Sequence, residues 1–185
     1  MILLLCDAQN LFYSVRDLFG NDARVDFKKL IEAARSNREH EEVRPIAYLA
    51  QYQQGAGPTD TGVISAFKAT GYEVRVRQVK QRPGGKFSSP NTDSDIILDA
   101  MDLVTKCDIK VVVIASGDRD FVPLYQKLKE RGIRVEVLAF QDSLSGELMR
   151  HVDEIRLLGA SILFDVKELP NGSVEAGAAE SGGRP

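Results

Sequence analysis

One stretch, from Val111 through Ala115 and on through Ser116, Gly117, Asp118, Arg119 and Asp120 to Phe121, constrains the fold more than any other. Its first five residues are apolar, with three Val and one Ile. That length and β-branched content suit a strand buried on both faces, as in a parallel sheet covered by helices. Gly117 supplies a turn, and the run from Asp118 to Lys129 opens an amphipathic helix. Asp118 and Asp120 therefore stand at the C-terminal end of a central strand, the edge where open α/β sheets bind ligands. Asp is also a favoured N-cap, and its charge complements the positive end of the helix dipole. One cap needs one Asp, so the second is left to explain.

The rest of the chain repeats this strand-then-helix pattern. Ile2 to Cys6 reads as a first buried strand with Asp7 directly at its end, and Asp26 is a candidate N-cap for the helix that follows it. Val43 to Ala50 is a second strand, with Pro45 at its start or at a bulge. Asp60 to Thr70 is a helix stopped by Gly71, and Tyr72 to Val79 is a strand with one wet face carrying Arg75 and Arg77. A helix over Asp93 to Lys106 precedes the central strand. After the helix that ends at Gly132 come a strand over Val135 to Phe140, a short helix over Ser143 to His151, and a last strand segment within Ile155 to Phe164. Alternating strands and helices predict an α/β fold with a mostly parallel sheet. One domain over residues 1–166 is expected, and residues 167–185, rich in Gly, Ala, Ser and Glu, read as a disordered tail.

Composition narrows the chemistry. No apolar run approaches the roughly 18 residues of a membrane span, and Met1 to Cys6 is too short for a signal-peptide core, so a cytoplasmic location with no membrane partner is expected. Two cysteines, Cys6 and Cys107, make neither a disulfide framework nor zinc spacing, and two histidines, His40 and His151, in charged helical settings, argue against a His-based triad. Chemistry falls to the carboxylates. A net charge of -3 argues against non-specific coating of nucleic acid.

Parallel strands share a C-terminal edge, so Asp7 and Asp118 meet if their strands are neighbours. A third acidic cluster surrounds the helix start, where Thr92 or Asp93 is the cap. Asp95, Asp99 and Asp102 follow at i, i+4 and i+7 as one stripe. Asp95 and Asp102 read as a solvated face, Asp93 as a residue that caps and reaches the site, while periodicity leaves Asp99 undecided between cleft and solvent. Clustered carboxylates raise one another's pKa, so a cluster costs stability unless a cation is present. Oxygen ligands without Cys or His select Mg²⁺ or Mn²⁺, which suit phosphoryl chemistry because the ion polarises phosphate and acidifies water. Between Glu73 and Asp93 there is no acid, but there are Arg75, Arg77, Lys80, Arg82 and Lys86, with Phe87 available to stack on a base. Such a run is either a flap over a nucleic acid or an edge strand blunted by arginines beside a solvated loop.

The same residues resemble a family. Leu5-Cys6-Asp7-Ala8-Gln9-Asn10 looks like the first motif of NYN domains, the part of the PIN-like nuclease superfamily that includes LabA-like proteins. Thr92-Asp93 with Asp99, then Ser116 to Phe121, then Ser145 and Leu148 followed by Val152 to Ile155, are similar to its later motifs in the same order. The resemblance implies a PIN-like three-layer α/β/α sandwich. It also implies a Mg²⁺- or Mn²⁺-dependent endoribonuclease site at Asp7, Asp93, Asp118 and Asp120, with Asp99 as a further ligand, RNA as partner, and a possible homodimer. Asn10 is then a group for a phosphate oxygen or a metal-bound water, or else a helix cap. Ser116 is a hydrogen-bonding support beside the carboxylates. The basic Gly-containing run often found just before the third acid is displaced here to Lys80 through Lys86. The competing reading is a catalytically silent RNA-binding or regulatory module of LabA type. A receiver-type phospho-acceptor domain and a dinucleotide-binding enzyme fit less well: Cys6 precedes Asp7 where paired acids are wanted, and no glycine-rich turn follows the first strand.

Overall fold

The computed structural model describes residues 1–52, 61–79 and 91–164. The expected basic loop residues Lys80, Arg82 and Lys86, with Phe87, and the expected disordered tail lie outside the described residues. Six strands form one sheet: β1 (Ile2–Asp7), β2 (Val43–Tyr52), β3 (Glu73–Val79), β4 (Val111–Ala115), β5 (Arg134–Ala139) and β6 (Glu154–Leu157). Their order is β3-β2-β1-β4-β5-β6, and every pairing is parallel. The helices are α1 (Ala8–Phe19), α2 (Phe27–Arg35), α3 (Thr61–Ala69), α4 (Thr92–Lys106) and α5 (Val122–Glu130).

Alternation along β1 divides the core into two layers. Ile2, Leu4 and Cys6 face α1, α2 and α3 with Leu11, Val15, Leu30 and Phe67, whereas Leu3 and Leu5 face α4 and α5 with Ile96, Ala100, Tyr125 and Leu128. All of β1 is buried, which is why it reads as an unbroken apolar run rather than an alternating one. The result is a three-layer α/β/α sandwich. Pro45 sits inside β2, but β3 begins to pair only at Ile46, so the missing N–H falls where β2 has a neighbour on one side alone. Asp26 caps α2 through Lys28 and Lys29 N–H, as its position predicts.

Four local expectations are corrected. The segment 143–151 is not one helix but two short 3₁₀ turns, Gln141–Ser143 and Leu148–Arg150. The N–H of Ser145 donates to Gly117 O at 3.0 Å, so it is unavailable to a helical ladder. The final segment is strand only over Glu154–Leu157, then turns through Ala160–Ile162 to pair beside Val25. Finally, α4 is capped by neither Thr92 nor Asp93. Asn91 holds the N-cap position without a side-chain bond to the backbone, and Thr92 is buried. His40 and His151 both lie in turns, not helices.

The strand order reverses between β1 and β4, which pair from Ile2 with Val111 to Cys6 with Ala115. The carboxyl ends of these two strands flank the crevice at this switch point, and that is where Asp7 and Asp118 emerge.

Candidate functional site

Asp7 ends β1 and caps α1. Its Oδ1 accepts from Asn10 N–H at 3.2 Å and its Oδ2 from Ser116 Oγ at 3.3 Å. Only 5% of it is exposed. Burial pushes its pKa up to about 6; the Asn10 N–H opposes this, and the charge of Asp93 adds to it. No cation among the described residues pairs with it.

Beyond β4 the chain passes through Ser116 and Gly117, both buried, to Asp118. Gly117 is required by close approach rather than by a turn. A Cβ there would stand 2.1 Å from the carbonyl oxygen of Ser143. The loop that carries Ser143 to Ser145 is thus pressed against the strand end, with Leu148 fully buried below it. Ser116 Oγ accepts from Asp118 N–H at 3.3 Å while donating to Asp7, which ties the two strand ends together. Asn10 Oδ1 accepts from Gly117 N–H, a second link across the crevice. Asp118 Oδ1 accepts from Asp120 N–H at 2.9 Å, so it caps the 3₁₀ turn Arg119–Phe121 that leads into α5. The capping reading of Asp118 holds, and the cap occupies one of its oxygens.

Asp93, in the first turn of α4, comes to the same place. Asp93, Asp118 and Asp120 each offer a carboxylate oxygen within 4.8 Å of the others. Burial raises the pKa of Asp93, and the charges of Asp118 and Asp120 raise it further. The donor set fits a hard divalent cation. It is three carboxylates with no His or Cys, it is partly open to water, and its charges repel one another unless a cation lies between them.

The model of the NYN domain family matches residues 1–158. The chain belongs to the NYN domain family. That family implies the PIN-like nuclease superfamily. The domain is 30% identical over 84 residues, 45% of its length, to the uncharacterized protein MJ0482 of Methanocaldococcus jannaschii, and the match spans 35% of that relative. The crystal structure of VPA0982 from Vibrio parahaemolyticus, a protein of unknown function, is similar with a TM-score of 0.73 and 24% identity. The likeness covers 88% of this chain and 95% of the other, and shows a shared fold.

The NYN domain does not bring every expected residue to the centre. Asp99 lies on the same helix as Asp93, but its Oδ2 accepts from Tyr48 Oη at 3.0 Å and from Arg75 Nε at 3.3 Å. Neither it nor Asp7, also expected as a ligand, is in the group of three. Arg75 also pairs with Glu73, and Arg77 pairs with Asp95, so both arginines tie the edge strand β3 to its surroundings. Asp95 is accordingly an ion-pair partner rather than a solvated acid. Asp102 is exposed and pairs with Lys106.

A groove opens beside the carboxylates, floored by Ile97, Val122 and Pro123 and rimmed by Asn91, Arg119 and Glu147. The side chain of Arg119, between two of the site's acids, makes no hydrogen bond or ion pair to any described residue, while its carbonyl accepts from Val122 N–H. The sequence carried a signal for it, since an Arg placed between two clustered aspartates is an unusual choice for a cap. Nothing in the sequence pointed to Glu147. No helix among the described residues is long and apolar enough to cross a membrane.

Proposed function

We propose that this NYN domain is a Mg²⁺- or Mn²⁺-dependent endoribonuclease that hydrolyses phosphodiester bonds to leave 5′-phosphate and 3′-hydroxyl ends. The observation that supports the reading best is the convergence of Asp93, Asp118 and Asp120 at the strand-order switch point, with the buried Asp7 behind them. Asp93, Asp118 and Asp120 would hold the ion. When bound, it supplies charge stabilisation for the phosphate and a lowered pKa for the attacking water.

The chain's own residues do the positioning. Asp118 is fixed by its cap to the Asp120 N–H, while Ser116 Oγ accepts its backbone N–H and Asn10 Oδ1 accepts that of Gly117 just before it. Asp7 adds a charge that favours a cation at the centre. Its carboxyl, pushed up to about 6, is also matched to holding a proton near neutral pH. The groove receives the strand beside the scissile phosphate. Arg119 serves as a phosphate contact, and the floor of Ile97, Val122 and Pro123 meets a base or ribose. In the hydrolysis a bond forms from water oxygen to phosphorus, the bond to the 3′ oxygen breaks, and that oxygen takes up a proton.

The test is cleavage of a labelled single-stranded RNA and a matched DNA, by wild type and Asp118→Asn, with Mn²⁺, with Mg²⁺ and with chelator. Metal-dependent RNA cleavage that the variant loses is the expected result. If both proteins are inert on both substrates while wild type still binds RNA, the reading fails in favour of a silent RNA-binding module.

A further inference from the structure

The groove beside the carboxylates has a volume of about 500 Å³, within the range of roughly 300–1,000 Å³ that holds small-molecule ligands. Asp93 and Asp120 line it, so it is continuous with the cluster. It also carries charges of both signs, Arg119 and Glu147, and neither side chain has a hydrogen-bond or ion-pair partner among the described residues. Glu147 takes the N-cap position of the 3₁₀ turn Leu148–Arg150, yet its side chain makes no bond to that turn. Its backbone is nevertheless pinned. Ser145 N–H donates to Gly117 O at 3.0 Å, and Leu148, fully buried, donates its own N–H to Ser145 O at 3.1 Å. The carboxylate is thus carried into the groove by a loop fastened to the strand end that leads to Asp118. It does not belong to the group of three that could share a cation.

An ionised carboxylate accepts hydrogen bonds and donates none, and it repels phosphate. In a groove that receives RNA, the backbone therefore goes to Arg119, and Glu147 is left to be met by donors on a base or ribose. Guanine presents N1–H and N2–H₂ side by side on its Watson–Crick edge, one donor for each carboxylate oxygen. Uracil sets its N3–H between two carbonyl oxygens that a carboxylate repels, and adenine and cytosine set one amino group beside a ring nitrogen that is itself an acceptor. A ribose 2′-hydroxyl offers a single donor. The floor of Ile97, Val122 and Pro123 meets the flat face of the ring, as single-stranded bases are held when their edges are read.

The geometry points to Glu147 as the base-selecting residue of the groove, its carboxylate accepting from N1–H and N2–H₂ of a guanine next to the scissile phosphate. This rests on the ribonuclease reading given above. It adds a preference for cutting single-stranded RNA beside guanine.

The test maps the cut sites of wild type and Glu147→Ala on a mixed-sequence single-stranded RNA in Mn²⁺, and repeats the mapping with inosine, which lacks the N2 amino group, in place of guanine. Glu147 is exposed and its side chain caps nothing, so the variant is expected to fold. Wild type should cut beside guanine about 10-fold faster than elsewhere and lose most of that advantage on inosine. Glu147→Ala should show little base preference and treat guanine and inosine alike. Wild type that cuts beside all four bases equally overturns the proposal and leaves the nuclease reading standing. So does a guanine preference that survives in Glu147→Ala, or a variant that keeps the preference and binds Mn²⁺ more weakly in a calorimetric titration, which would make Glu147 a metal ligand. Binding of the same RNAs, followed by fluorescence anisotropy in chelator, separates the two readings. Guanine-selective binding that Glu147→Ala loses, in a wild type that cuts nothing, supports the base contact and brings down the nuclease reading. Wild type that neither binds nor cuts RNA brings down both.

Discussion

Asp7 and Glu136 are both buried carboxylates on sheet strands, and their surroundings are opposite. Glu136, in β5, is 0% exposed and receives three arginines: Arg38 at 2.6 Å, Arg134 at 2.6 Å and Arg156 at 2.7 Å. Burial alone would raise its pKa, but these hydrogen bonds outweigh burial and hold it down at about 2. Asp7 has only an N–H and a hydroxyl, with another acid nearby, and its pKa is pushed up to about 6. A carboxylate whose charge is already answered by arginines is a structural element. One left unanswered beside three others is where the proposed site would draw its cation from outside.

The comparison breaks most visibly at Glu136. Glu136→Gln leaves three guanidinium groups around an uncharged side chain, with Glu154 still paired to Arg134 and Arg156. The expected loss is about 3 kcal/mol, the lower end for a broken buried pair because the arginines are themselves partly in water. Urea unfolding at pH 7 measures it. The group's folded pKa is depressed, so its contribution is present above the ordinary value of 4.5 and disappears as pH falls towards 2. The variant and wild type should therefore converge in acid. A loss under about 1 kcal/mol at pH 7 would mean that the arginines find water as good a partner.

At the other end of the sheet the missing charge can be added. Mn²⁺ at a hundredfold excess over its dissociation constant should stabilise wild type by about 2.7 kcal/mol, and Asp118→Asn should lose most of this while keeping its fold. An equal response in both proteins would place the ion elsewhere.

Removing the unanswered charge should have a smaller effect of the opposite sign. The folded pKa of Asp7 is raised from 3.8 to about 6, so the folded state holds a proton that the unfolded state has lost between those values. Apo stability attributable to Asp7 therefore falls as pH rises through this window, by up to about 3 kcal/mol. Asp7→Asn can still accept from the Asn10 N–H. It should be more stable than wild type by about 2 kcal/mol in chelator at pH 8, and equal to it at pH 3.5. If the variant is instead the less stable at pH 8, the hydrogen bonds of the carboxylate outweigh its burial.

The legible half of this contrast was the half built from sequence-local rules. The apolar runs of β1 and β4 announce buried parallel strands, and an acid directly after each places both at one edge. That Asp93 joins Asp118 and Asp120 came from the resemblance, because periodicity shows only which residues share a helix face. Glu136 gave no warning: between Val135 and Val137 it reads as a wet-face position of an alternating strand, yet it is buried. Its three arginines come from as far away as residue 38 and residue 156. The reason for Gly117 was hidden in the same way, since the carbonyl it must admit belongs to Ser143 on a separate loop.

Asp99 decides how far the rule extends. It lies on the helix of Asp93, and the family resemblance makes it a metal ligand, yet its environment is of the Glu136 kind: Arg75 and the Tyr48 hydroxyl both donate to it. Unlike Glu136 it is about a third exposed, so the pair with Arg75 is largely screened. Asp99→Asn keeps an acceptor for Tyr48 and loses only the charge towards Arg75. The expected cost is under about 1 kcal/mol, with Mn²⁺ affinity unchanged. If Mn²⁺ binding instead weakens about 10-fold while the fold is kept, Asp99 turns towards the cation when it arrives, and the Arg75 pair is a resting arrangement. Loss of stability without loss of affinity would make it structural outright. An answered carboxylate should fail to bind metal wherever it lies on α4, because the arginine already occupies the electrostatic place that the ion would take.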